Sequence, residues 1–210
     1  MTGRLLTPVD RDAGVRPQRL RTLGLGGRAD ALSDDVPFGA VRFEGTGRHG
    51  TLESFDAFAD RVAEVTDVPF SMVNFIDGNR QFFAGLHTPA GTHTGSDLGA
   101  AAAGSGRAGR YLALDHGYCP HVVARRKALV LEDVCDYPRF AGNPVVDDIG
   151  IRSYLGAPLI DRTGIALGAV CAVDTVPRPW GRAGLATIKS LAQELIGHIH
   201  RREDSSRIVL

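Results

Sequence analysis

The stretch Tyr154-Leu155-Gly156-Ala157-Pro158-Leu159-Ile160-Asp161-Arg162-Thr163-Gly164-Ile165-Ala166-Leu167-Gly168-Ala169-Val170-Cys171-Ala172-Val173 consists of two apolar runs joined by four turn formers. Runs of seven and nine residues suit strands rather than helices, and Asp161-Arg162-Thr163-Gly164 suits a hairpin turn, so an antiparallel pair is predicted here. Downstream, Leu185, Ile188, Leu191, Ala192, Leu195, Ile196 and Ile199 keep one helical stripe, which should pack on the sheet or on a partner. Trp180, after Pro177-Arg178-Pro179, reads as a staple or hinge anchor for that helix.

Upstream, Ala128–Glu132 reads as a strand, followed by the Pro- and Asp-containing connection 136–140. Cys119-Pro120 opens a short helix running to about Arg126, because proline is tolerated at the first helical position. Phe70–Ile76 and Gln81–Leu86 read as a hairpin around Asp77-Gly78-Asn79. Before them Leu52, Phe55, Phe58, Ala59, Val62 and Val65 mark an amphipathic helix with Thr51 as N-cap, ending near Val68-Pro69.

The ends are less regular. Residues 1–50 hold nine glycines and no sustained period, and are expected to be a largely disordered tail, including Leu23-Gly24-Leu25-Gly26-Gly27 as flexible linker. Residues 89–110, rich in Gly, Ala and Ser, are expected to be a mobile loop, and 203–210 a C-terminal tail. With 24 basic and 24 acidic residues the chain has no net field to draw it onto nucleic acid or anionic lipid. Three cysteines without CxxC spacing suit reduced thiols, and no apolar run is long enough for a leader or a span, so a cytoplasmic location is expected.

In this order the elements resemble the GAF domain family. The resemblance rests on Phe70-Ser71-Met72-Val73-Asn74-Phe75-Ile76-Asp77, Tyr118-Cys119-Pro120-His121-Val122-Val123, Leu129-Val130-Leu131-Glu132-Asp133-Val134, Asp136-Tyr137-Pro138-Arg139-Phe140 with Asn143-Pro144, Ile151–Leu159, and Leu167–Asp174. It implies an α+β fold over residues 51–202, with a central antiparallel sheet of about six strands and flanking helices. It also implies a pocket for an unidentified small molecule on one sheet face, a homodimer, and signal transduction through a separate protein partner. No particular cofactor follows.

Candidate pocket residues are Phe75, Phe83, Tyr118, Cys119, His121, Phe140, Arg152 and Tyr154. A thiol beside an imidazole can be a nucleophile, a metal-ligand pair or a bilin attachment point, yet free cysteine more often behaves as a small buried hydrophobe. His116, Cys135 and His87 do not complete a recognisable metal-ligand spacing. Cys171 and Cys135 read as core or edge thiols, and Arg139 and Arg152 as partners of Asp133, Asp136, Asp147 or Asp148.

A methionine-sulfoxide-reducing branch of the family implies a catalytic thiol in the connection after Asp133-Val134, where 139–143 offers none unless Cys135 serves. The leading expectation is therefore a regulatory small-molecule sensor rather than an enzyme, with a thiol-based redox sensor or reductase and a ligandless dimerisation module as alternatives.

Overall fold

The computed structural model describes residues 9–25, 54–78, 80–89 and 111–208. Its elements are α1 (Arg16–Thr22), α2 (Phe55–Thr66), β1 (Phe70–Asp77), β2 (Arg80–His87), β3 (Tyr111–Ala113), α3 (Cys119–Arg125), β4 (Leu129–Leu131), α4 (Pro138–Ala141), α5 (Pro144–Ile149), β5 (Ser153–Ile160), β6 (Ala166–Asp174) and α6 (Gly181–Ile208), with a 3-10 turn at Val134–Asp136. The strands form one sheet in the order β3-β2-β1-β6-β5-β4. Every neighbouring pair is antiparallel.

The β5–β6 hairpin closes where the sequence places it. The Asp161 carboxylate accepts from the Thr163 and Ile165 backbone N–H groups, and Gly164 takes the positive φ of 82° that the turn needs. Two bulges fix which side chains face which layer. Leu159 pairs with Gly168 and Ile160 with Ala166, leaving Leu167 extra; Val73 pairs with Gly85 and Asn74 with Phe83, leaving Ala84 extra.

Both faces of the sheet are covered. On one, α1, α2 and α6 pack Leu20, Phe58, Val62, Ile188 and Leu195 against Val73, Phe75, Val170 and Ala172. On the other, α3, α4 and α5 pack Val122, Phe140 and Val145 against Met72, Phe83, Ala169 and Cys171. No helix among the described residues is long and apolar enough to cross a membrane.

The expectation of a largely disordered tail over residues 1–50 is corrected for residues 9–25. Leu20, Leu23 and Leu25 are buried, so Leu23 and Leu25 belong to the core rather than to a linker. Ion pairs to distant residues hold the segment: Arg19 meets Asp161 and, at 2.9 Å, Glu203, while Arg126 meets Asp12. Arg16, almost wholly buried, donates to the Ala166 carbonyl and to Asp10.

The helix α2 is capped by Ser54, whose hydroxyl accepts from the Ala57 N–H at 3.1 Å, in place of Thr51, which lies outside the described residues. Residues 90–110 of the expected mobile loop also lie outside them. The helix α6 runs on to Ile208, through what was expected to be a tail, anchored there by the Glu203 pair with Arg19.

Candidate functional site

The cavity between the sheet and α3 and α5 is built by two buried amides. Asn143 caps α5 by accepting from the Val145 N–H at 3.3 Å, and its amide exchanges two hydrogen bonds with the Gly117 backbone, at 2.8 and 3.0 Å. This fixes the turn entering α3. Gln81 on β2 accepts from Asn74 of β1 and donates to the Ala113 and His116 carbonyls, each at 2.7 Å, tying β3 and that same turn to the sheet.

The space so framed is a cavity of about 40 Å³, room for about three water molecules. Its walls are apolar: Phe70, Met72 and Phe83 from β1 and β2, and Val145, Ile149 and Ile151 from α5 and its exit. Tyr118, Tyr154, Cys119 and Cys171 form one end. The Tyr154 hydroxyl lies 3.3 Å from Cys119 Sγ, and Cys119 Sγ lies 3.5 Å from Cys171 Sγ. Burial pushes both phenols up from their ordinary range, so they stay neutral hydrogen-bonding groups.

Of the eight residues expected in the pocket, Phe83, Tyr118, Cys119 and Tyr154 line this cavity. The other four do not. Phe75 lies on the opposite face of the sheet, under α2 and α6, its ring edge-on to Phe55 at 5.5 Å. His121 and Phe140 meet edge-to-face outside the cavity lining, with ring centroids 5.2 Å apart. Arg152 is held in a partly exposed ion pair with Asp133, as the salt-bridge reading of that arginine anticipated.

Sequence reasoning missed Phe70, Met72, Cys171 and Val173 of the strands, and Gln81, Leu112, Gly117, Val145, Ile149 and Ile151 around them. The two-residue spacing within β1 and β6 shows that each strand pair shares a face, without showing which face holds the cavity. Among the described residues there is no cluster of three or more His, Cys, Asp or Glu able to hold a metal ion.

The His121 imidazole is pushed down to about 4, first by burial and then by the charges of Arg139 and Arg125. Its folded value lies below the roughly 6.5 of an unfolded chain, so protonation opposes folding. The stability held by neutral His121 is complete above about pH 6.5 and is lost as pH falls towards 4. His121→Gln should flatten the pH dependence of urea unfolding across this window, by roughly 2 kcal/mol; an unchanged slope would show that His121 does not carry it.

The GAF domain model matches residues 51–199. The chain belongs to the GAF domain family. A cyclic di-GMP phosphodiesterase of Pseudomonas aeruginosa, PA2567, is 24% identical over 161 residues, which are 76% of this chain and 24% of that protein. The chain thus spans about a quarter of the length of that curated relative.

Two solved structures share the fold. The GAF domain of Acinetobacter phosphoenolpyruvate-protein phosphotransferase aligns with a TM-score of 0.53 at 18% identity, covering 73% of this chain and 84% of that one. Free methionine-R-sulfoxide reductase of Neisseria meningitidis, solved with its substrate, aligns at 0.54 and 15% identity, with both chains covered in full. The six-stranded antiparallel sheet with flanking helices is therefore that of a GAF domain, a signalling and sensing fold.

Proposed function

We propose that this GAF domain is a regulatory sensor that takes a small, mainly apolar molecule. The observation that carries this reading is the cavity itself. Its walls are those of a site for a small apolar molecule, and at about 40 Å³ it admits more than a few atoms only as α3 or α5 moves from the sheet. Burial excludes a charged ligand that lacks a partner.

Occupancy acts on the positions of α3 and α5 against the sheet. The helix α6 packs on the opposite face of that sheet, so it is the element through which a shift passes to a homodimer partner or a separate signalling protein. The phosphodiesterase activity of the Pseudomonas relative is not carried over, because three-quarters of this chain account for only 24% of that protein. A reductase reading would need a nucleophile facing the cavity from the 133–143 connection, yet Cys135 there is exposed and does not line it.

Small-molecule extracts fractionated by polarity test the proposal. A fraction containing the ligand should raise the melting temperature of the protein. The same fraction should leave Val145→Phe, which fills the cavity from α5, unmoved. Equal shifts in both proteins would place the binding elsewhere.

A further inference from the structure

We propose that Cys119 and Cys171 are a redox pair: an organic hydroperoxide entering the cavity oxidises Cys119, and Cys171 then closes a disulfide that ties α3 to β6. This deepens the sensing role proposed above by giving the same cavity a second, covalent input.

The sequence builds the convergence from three elements. Cys119 is the first residue of α3, Cys171 sits in the middle of β6, and Tyr154 comes from β5. Gly156 is the cross-strand partner of Cys171, and a Cβ there would meet the Tyr154 hydroxyl at 2.3 Å. The missing side chain lets the Tyr154 ring lie over Gly156 and reach the Cys119 sulfur.

Cys119 and Cys171 are 52 residues apart in the chain, yet their sulfurs stand 3.5 Å apart. A disulfide requires about 2.0 Å. The remaining approach of about 1.5 Å falls to the first turn of α3, where Cys119 itself lines the cavity while Val122 and Val123 behind it are packed in the core. Both thiols line that cavity, whose apolar walls suit the alkyl group of a small hydroperoxide admitted as α3 or α5 shifts from the sheet.

The order of events follows from the neighbours of the two sulfurs: beside Cys171, Cys119 Sγ has the Tyr154 hydroxyl at 3.3 Å, a group able to donate to its thiolate. The Cys119 thiol is lowered from its ordinary range, chiefly by the Cys171 thiol and also by the Tyr154 hydroxyl and Asn74, against the opposing effect of burial. The Cys171 thiol is raised well above it, first by its neighbour Cys119 and then by burial. Cys119 is therefore the attacking thiolate.

Its sulfur takes the terminal peroxide oxygen, the O–O bond breaks, and the alkoxide leaves as the alcohol with the thiol proton. Cys119 is now a sulfenic acid and the peroxide is reduced by two electrons. Cys171 sulfur then attacks the sulfenic sulfur, the S–O bond breaks, and hydroxide leaves as water with the Cys171 proton. The net reaction is one hydroperoxide and two thiols giving one alcohol, one water and one disulfide.

The test uses the full chain carrying Cys135→Ser, which removes the exposed thiol and its intermolecular disulfides. After tert-butyl hydroperoxide, non-reducing peptide mapping should show a Cys119–Cys171 link, with the intact mass reduced by two hydrogens and restored by dithiothreitol. In the same background Cys171→Ser should stop at a Cys119 sulfenic acid that dimedone traps. If Cys171→Ser does not fold, the map of the Cys135→Ser chain decides alone.

Recovery of both sulfurs as free thiols, or of Cys119 over-oxidised beside a free Cys171, would overturn the pair. These outcomes are independent of ligand binding. A link without any bound small molecule would leave the pair standing and sink the ligand reading, and the reverse result would do the opposite.

Discussion

Gly168→Ala is expected to destabilise the domain by about 4 kcal/mol or more, a large part of the roughly 5–15 kcal/mol that holds such a domain together. A Cβ at position 168 would meet the Asn74 carbonyl oxygen at 2.0 Å and the Phe75 Cα at 2.8 Å. Neither contact can relax like a flexible side chain. Both atoms are backbone of β1, which is paired on one side with β2 and on the other with β6, and Asn74 is also tied to Gln81. The added methyl must therefore part the two central strands. Urea unfolding measures the loss, with Gly142→Ala as control, since a Cβ there meets nothing within 4 Å and its φ is an ordinary −92°. Equal midpoints for the two variants would contradict the close approach of β1 and β6.

Removing the anchors of α1 is the next largest effect. Leu20 is fully buried against the α2 and α6 layer, and Leu20→Ala should cost about 3 kcal/mol, by lost burial and the cavity left behind. Arg16→Ala should cost roughly 3 kcal/mol. It strips the Ala166 carbonyl and Asp10 of their donor at a site where the guanidinium is nearly solvent-free. If 9–25 were an appendage instead of part of the core, both variants would unfold at the wild-type urea concentration.

The contrast between α1 and the β5–β6 hairpin shows what the sequence makes legible. The hairpin is written locally, as two apolar runs around Asp161 and Gly164, and so are the α6 stripe and the Cys119-Pro120 start of α3. The helix α1 has seven residues and is held by Asp161, Glu203 and Ala166, more than 140 positions away. Such contacts leave no periodic signal in the segment itself. The strand β3 is three residues long, too short for alternation to register.

The site was half legible for a related reason. Strands covered on both faces read as continuous apolar runs, so alternation cannot say which residues face the cavity. Phe75 and Met72 both look like core; their odd spacing in β1 sets them on opposite faces, and only the packing of the helices decides which face holds the cavity. Tyr118, Cys119 and Tyr154 were recognisable from the motifs around them. Cys171 was recognisable as buried, but its neighbour Cys119 comes from an element 52 residues away and emerges only in three dimensions.

The claim that the cavity holds a small molecule is tested most directly by native mass spectrometry of the purified full chain, beside its denatured spectrum and beside Val145→Phe. The native wild-type protein is expected to carry a reproducible extra mass after incubation with small-molecule extract, lost on denaturation and absent from the cavity-filled variant. A wild-type protein that keeps its bare mass in every extract, or an adduct that Val145→Phe retains in full, would contradict it.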